Sequence, residues 1–253
     1  MLEICAIASG SNGNCYYVGN NTDAILIDAG LSGKQIINRM TETGLDPAKI
    51  KAVFITHEHG DHMRGARGIS KKLQVPIYIT AKTYNSAYKN MRPDYPKYFS
   101  PNEEIQVGEF TVYPVQKKHD AAEPCSFRIQ YNNKNIGVFT DIGEPCENVK
   151  THISKCDGLF LESNYDDKML WEGVYPYFLK QRVASEVGHL SNDQAFELLE
   201  EHTNGNLQCV FLSHISKENN TPEKAMERME SLTSRFEVKV APRYEASDIY
   251  KIQ

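Results

Sequence analysis

Residues 52–62 read Ala52-Val53-Phe54-Ile55-Thr56-His57-Glu58-His59-Gly60-Asp61-His62. The first five form an apolar run of strand type. The six that follow place three imidazoles and the carboxylate of Asp61 in a short loop. Imidazole nitrogens and carboxylate oxygens are ligands for divalent ions, so a buried strand opening into such a loop predicts a metal site. The helical zinc signature His-Glu-x-x-His does not fit: it needs imidazoles at i and i+4, whereas the fourth residue after His57 is Asp61, and Gly60 weakens a helix there. The bland alternative is a solvated polar loop. The position of the ligands directly after a strand argues against it.

The same arrangement recurs along the chain. Val138-Phe139-Thr140 leads to Asp141, Leu159-Phe160-Leu161 to Glu162, and Val210-Phe211-Leu212-Ser213 to His214. His119 follows the run 110–115 through Lys117 and Lys118. In αβ sheets, ligands and catalytic residues collect at the carboxyl ends of strands, so these side chains are expected on one rim. Strands are predicted over 2–8, 15–18, 24–27, 75–80, 158–161 and 208–213, with helices over 33–43, 64–73 and 193–202. The last of these helices is introduced by the capping box Ser191-x-x-Gln194, and a final helix opens at Thr221-Pro222. Segments 126–131 and 136–140 pair as a hairpin across Asn132-Asn133-Lys134-Asn135. This mixture predicts a layered α/β domain with partly antiparallel sheets. The turn Ser9-Gly10-Ser11-Asn12-Gly13-Asn14 is either a plain hairpin connection or an anion cradle; in the second case Ser9, Ser11, Asn12 and Asn14 are the substrate-binding candidates.

The 253 residues are compatible with one domain spanning 1–253. With 40% hydrophobic and 24% charged residues the composition is that of an ordinary globular protein. A net charge of -5 argues against a generally basic nucleic-acid coat, but not against a nucleic-acid enzyme whose metal ions supply the positive charge. Six scattered cysteines without a Cys-x-x-Cys pair read as reduced thiols. No leader pattern and no apolar stretch near the ~20 residues of a membrane span are present, so a cytoplasmic location and no membrane partner are expected. The oligomeric state is left open.

The loop His57-x-His59-x-Asp61-His62, with His119, Asp141 and His214 following in order, resembles the signature of the metallo-β-lactamase fold superfamily. The resemblance implies a four-layer αβ/βα sandwich of two mixed β-sheets flanked by helices. It also implies two divalent ions, Zn or Mn, one held by His57, His59 and His119 and the other by Asp61, His62 and His214, with Asp141 bridging. Leu161-Glu162-Ser163-Asn164, Gly188-His189-Leu190-Ser191-Asn192 and Leu212-Ser213-His214-Ile215-Ser216 resemble segments of the transfer-RNA 3′-processing enzymes (tRNase Z), in which a Glu and a His assist the leaving group. Together with Ala8-Ser9-Gly10-Ser11, Asn14-Cys15-Tyr16-Tyr17 and Glu218-Asn219-Asn220, they are most similar to the YycJ/WalJ group of 5′-to-3′ exonucleases. The short interval between Asp141 and His214 leaves no space for the inserted domain of RNase J and Artemis-type nucleases. Tyr165 stands where the resemblance leads one to expect histidine in many relatives.

Phosphodiester hydrolysis needs a strong nucleophile and neutralised charge, which two divalent ions supply through a bridging hydroxide. In this scheme Asp61 ligates and orients, while Glu162 holds His189 as the acid that protonates the departing oxygen. The catalytic candidates are therefore Asp61, Glu162 and His189, and the substrate is DNA or RNA. Asp28 is expected to brace the ligand loop by hydrogen bonding; His152 and His202 read as ordinary residues near helix ends. The alternatives are a small-molecule hydrolase of the same fold, acting on a thioester or lactam, and a non-catalytic binding member. The complete set of ligand candidates counts against the latter.

Overall fold

The computed structural model describes every residue from Met1 to Gln253. Strands β1 (Leu2–Ala8), β2 (Cys15–Gly19), β3 (Ala24–Ile27), β4 (Ile50–Phe54), β5 (Ile77–Thr80) and β6 (Pro96–Phe99) build most of a first sheet. Strands β7 (Ile105–Val107), β8 (Phe110–Gln116), β9 (Cys125–Tyr131), β10 (Lys134–Phe139), β11 (Gly158–Glu162), β12 (Cys209–Ser213) and β13 (Glu237–Val240) build a second. The last strand, β14 (Tyr250–Ile252), returns to pair with β1. The orders β14-β1-β2-β3-β4-β5-β6 and β13-β12-β11-β10-β9-β8-β7 share one design. Each sheet is antiparallel on one side, up to β3 or β10, and parallel on the other.

Alternate residues of a strand face opposite ways, and here both directions are buried. Leu2, Ile4 and Ala6 of β1, Ile25 and Ile27 of β3 and Phe54 of β4 face a core shared with Phe127, Phe160 and Phe211 of the second sheet. Their neighbours Cys5, Ile7, Leu26 and Val53 face outward, against Ile36 and Met40 of helix Gly33–Glu42 and Ile69 of helix Ala66–Leu73. On the far side Leu159, Leu161, Val210 and Leu212 meet helices Glu147–Ile153, Asn192–His202 and Pro222–Arg228. The result is the expected four-layer sandwich, and it explains the unbroken apolar strand runs. Each fully buried Phe, Leu or Ile contributes about 1.5–3 kcal/mol.

Three local readings change. The helix predicted over 64–73 runs over Ala66–Leu73, and a separate short helix, Gly60–Met63, precedes it, so the second half of the ligand loop is a helical turn with His59 at its cap. Gly60 tolerates it because the turn is held from outside: Asn14 N donates to Asp61 O at 2.7 Å and Ala29 N to His62 O at 2.7 Å. The chain breaks at Gly65, where a Cβ would lie 1.8 Å from Leu31 O. The hairpin between β9 and β10 turns in two residues, Asn132-Asn133, since Lys134 already pairs with Tyr131 and Asn132 takes a φ of 51°. The short helices Ala81–Ser86, Asp167–Glu172 and Tyr177–Val183 carry too little periodicity to read in advance. No helix is long and apolar enough to cross a membrane.

The loops after β1, β3 and β4 are knitted where Gly30 N donates to Asn14 O. A Cβ on Gly30 would fall 1.6 Å from Asp61 O and 2.5 Å from Asn14 N. Gly30→Ala is therefore expected to lower the unfolding free energy by at least about 1–3 kcal/mol. Gly205→Ala, with nothing within 4 Å of its Cβ, should change it by less than about 0.5 kcal/mol. Urea denaturation of both variants checks the difference.

Candidate metal centre and its histidine–glutamate pair

The carboxyl ends of the strands converge on one rim. Asp28 follows β3, His57 to His62 follow β4, His119 follows β8, Asp141 follows β10, Glu162 closes β11 and His214 follows β12. Asp28, Asp141 and His214 adopt left-handed backbone angles, with φ of 64°, 54° and 55°. Asp and His accept that region more readily than most residues, and the sharp turn brings each side chain to the rim directly after its strand.

Four histidines use one ring nitrogen for the protein and leave the other to the centre. His57 Nδ1 lies 2.9 Å from Thr56 Oγ1 and His62 Nδ1 lies 2.7 Å from Asp28 Oδ2. His119 Nδ1 donates to Gly188 O at 3.0 Å, and His214 Nδ1 lies 2.8 Å from Glu162 Oε1. The inward nitrogens approach their neighbours closely: His57 Nε2 is 3.0 Å from His59 Nδ1, and His62 Nε2 is 3.2 Å from Asp141 Oδ2. His119 Nε2 and His214 Nε2 are buried and make no hydrogen bond. Orphaned buried polar atoms of this kind are costly unless a ligand completes them. Within 4.8 Å of one another lie the ligand atoms of His57, His59 and His119, those of Asp61, His62 and His214, and those of His57, His62 and Asp141. The donor set therefore fits divalent cations, with each inward nitrogen oriented by a partner on the other side of its ring.

Electrostatics divide the histidines. Burial pushes His119 down to about 3 and His57 well below its ordinary value, so both present lone pairs at neutral pH. For His62 and His214 burial acts in the same direction, but the surrounding carboxylates, Asp141 first, outweigh it. His62 is raised well above the ordinary range and His214 to about 10. Glu162 shows the reverse balance: burial favours its neutral form, yet His189 and His214 hold it down at about 2.

Glu162 is fully buried and fully used. Its Oε2 accepts from Ile142 N at 2.7 Å and Leu190 N at 3.2 Å, while Oε1 lies 2.9 Å from His189 Nδ1. The sequence paired Glu162 with His189 alone; the structure gives it His214 as a second partner. His189 lines an open cavity of about 160 Å³ with His59, Asp61, His119, Asp141 and His214.

The turn after β1 divides. Asn14 is fully buried and braces the ligand loop, with Nδ2 3.1 Å from His62 Nε2 and Oδ1 accepting from Gly10 N. Ser9 is also buried, and its Oγ accepts from His214 N at 2.8 Å. Neither offers surface to a substrate, because both serve the frame. Ser11 lines the cavity and Asn12 stands beside it, both tied to the guanidinium of Arg243. Arg243 also donates to Ile215 O, clamping this turn to the segment after His214; nothing in its local sequence signals the role. Tyr165 is buried and forms a backbone bridge with Ser191. Asp28 Oδ1 accepts from Thr56 N and Oγ1, the bracing expected of it. His152 and His202 lie away from the rim, in helices Glu147–Ile153 and Asn192–His202.

Residues 8–172 match the sequence profile of the metallo-beta-lactamase superfamily. The chain is 33% identical over 227 residues to Exodeoxyribonuclease YycJ of Bacillus anthracis, covering 88% of this chain and 86% of that protein. It is 33% identical over 224 residues to Exodeoxyribonuclease WalJ of Streptococcus pneumoniae, covering 87% and 83%. A shorter stretch, 42% of this chain and 35% of the relative, is 29% identical to Ribonuclease Z of Thermococcus sibiricus. In shape, the crystal structure of the metallo-beta-lactamase fold protein YhfI from Bacillus subtilis superposes with a TM-score of 0.75 over 99% of this chain and all of that one. The identity is 16%, a likeness of fold alone.

The Asp28–His62 contact yields a direct expectation. Asp28→Asn keeps the shape but removes the charge behind His62, and divalent-ion affinity should fall about 10- to 100-fold. Asp94→Asn removes one carboxylate charge from the Arg67 and Lys71 ion pairs and should leave affinity unchanged. Competition against a chromophoric chelator measures both.

Proposed function

This chain belongs to the metallo-β-lactamase superfamily, and we propose that within it the protein is a divalent-metal-dependent nuclease removing nucleotides from the 5′ end of DNA. The observation that carries the reading is the Glu162–His189 contact at 2.9 Å, set beside a buried cluster of oriented His and Asp ligands. DNA is favoured over RNA because the two relatives that align over most of the chain are named exodeoxyribonucleases.

In this reading His57, His59 and His119 would hold one ion and Asp61, His62 and His214 a second, with the Asp141 carboxylate available to both. When bound, such ions supply Lewis-acid neutralisation of phosphoryl charge and an activated water. Asp61 faces the cavity and orients the attacking water. His189 is fixed through Nδ1 by Glu162, so Nε2 is the nitrogen available to protonate the departing 3′-oxygen. An alkoxide leaving group needs that proton, whereas the thiolate of a thioester does not. The pair thus supports phosphodiester over thioester chemistry. Ser11, on the cavity lining, and its neighbour Asn12, both held by Arg243, would meet the phosphate in this reading. The cavity of about 160 Å³ is open to solvent, so a phosphodiester linkage can reach these side chains.

Incubating metal-loaded protein with 5′- and 3′-labelled oligonucleotides, single-stranded and duplex, tests the reading: mononucleotides should appear first from the 5′ label. Elemental analysis should give close to two divalent ions per chain, falling in Asp141→Ala and His119→Ala. Robust thioester turnover without any cleavage of DNA would overturn the proposal.

The acid is tested at His189, since Glu162 also holds the candidate ligand His214. His189→Ala should slow cleavage by about 10²- to 10⁴-fold with metal content preserved. A substrate whose 3′-oxygen is replaced by sulfur should restore most of the loss, because a thiolate departs unprotonated. If that substrate is cleaved no better, His189 is not the proton donor.

A further inference from the structure

Exposed apolar surface is unevenly spread. Of the ten large hydrophobic side chains that stand out in solvent, Trp171, Val174, Tyr177, Phe178 and Val187 fall within one short segment. Tyr177 is 67% and Phe178 72% exposed, and neither is needed to close a core. The segment is nevertheless fixed. Lys180, itself buried, donates from Nζ to Trp171 O at 2.7 Å, tying helix Asp167–Glu172 to helix Tyr177–Val183, and the Trp171 and Tyr177 rings lie 6.3 Å apart.

This surface runs directly into the candidate active site. Arg182 and Val183, at the end of the second helix, line the cavity with His119 and His189, as does Val187. Phe178 and Arg182 are four residues apart and share a helix face, which puts Phe178 about 6 Å along the axis from the cavity wall. That is a step comparable with one nucleotide of an unstacked strand.

We propose that Phe178, Tyr177 and Trp171 form a stacking platform for the unpaired bases of single-stranded DNA whose backbone enters the cavity. The inference rests on the nuclease reading and specifies its substrate as a single strand or frayed end. Two features favour this occupant over a second copy of the chain. Three partly exposed aromatic rings and two valines offer about 400–600 Å², short of the ~800 Å² each partner brings to a stable interface. The platform's segment is also continuous with the cavity proposed to take the phosphodiester, since the exposed Val187 lines that cavity as well. Charge plays little part, because Arg182 is paired with Asp120 at 2.9 Å and Glu172 and Glu186 are close in sequence. Recognition is therefore through ring faces, which tolerate every base.

Trp171 is the only tryptophan of the chain and reports on its own platform. Metal-free protein in chelator, titrated with single-stranded oligothymidylate, should show saturable quenching of Trp171 emission. An abasic strand of the same length should quench far less, and a blunt duplex should bind more weakly. Phe178→Ala should weaken oligothymidylate binding about 5- to 100-fold. Phe178→Leu, apolar but not flat, should behave alike, while Phe178→Tyr should retain binding. Equal affinity for abasic and normal strands, or an unchanged affinity in Phe178→Ala, overturns the platform even if the metal-loaded protein cleaves DNA. Base-dependent quenching without any cleavage sinks the nuclease reading and leaves the platform standing. A concentration-dependent shift of Trp171 emission and of sedimentation in the absence of DNA assigns the surface to a second copy instead.

Discussion

A carboxylate taken out of water must be compensated where it stands, and this molecule gathers several at one point. Asp28, Asp141 and Glu162 are each at most 2% exposed, and an uncompensated ion in such surroundings costs several kcal/mol. Compensation comes from histidines: His62 lies between Asp28 and Asp141, and His214 and His189 both lean on Glu162. Asp141 is held well below the usual carboxylate range because these histidines outweigh the burial that would otherwise neutralise it. The cluster is thus a balanced charge network, and a fold stable by a few kcal/mol depends on keeping it balanced.

The two sheets make that balance possible. Each contributes the carboxyl ends of its parallel half, so candidate ligands after β4 meet Asp141, Glu162 and His214 from β10, β11 and β12 at the seam between layers. Loops at such a seam would normally be the least rigid part of the structure. Here their backbones are tied to one another through Asn14, Ala29, Gly30, Asp61 and His62. The side chains of Asn14 and Ser9 continue the same frame, which is why they are withdrawn from the surface while Ser11 stays on the cavity lining.

Much of this was legible in the chain. The strands over 2–8 and 24–27, the Ser191 capping box and the strand-end placement of His57, Asp141, Glu162 and His214 follow from local rules: apolar period, cap chemistry and strand termini. What escaped depends on contacts between distant residues. No window of sequence contains both Glu162 and His214, or Arg243 with Ser11 and Asn12, so their pairing has no local signature. The turn Gly60–Met63 ran against propensity because neighbouring loops hold it. The exposed aromatics near Phe178 gave no signal, since the short helix Tyr177–Val183 carries too little periodicity to be read and a sequence does not say whether a ring meets a core or solvent.

The double contact of Glu162 bears on how this site can vary. One carboxylate oxygen, Oε1, serves both His189 and His214, and the other is saturated by Ile142 N and Leu190 N. A rotation of Glu162 that improves one histidine necessarily disturbs the other. The backbone bonds to Oε2 oppose rotation at all, so the positions of a candidate ligand and a candidate acid are set by one rigid group. Glutamine in its place would retain one acceptor oxygen but give up the charge that helps to raise His214. Its amide donors would also face backbone N–H groups that need an acceptor. The geometry therefore admits glutamate and little else at 162, while removal of the His189 ring leaves Glu162 its contacts with His214, Ile142 N and Leu190 N.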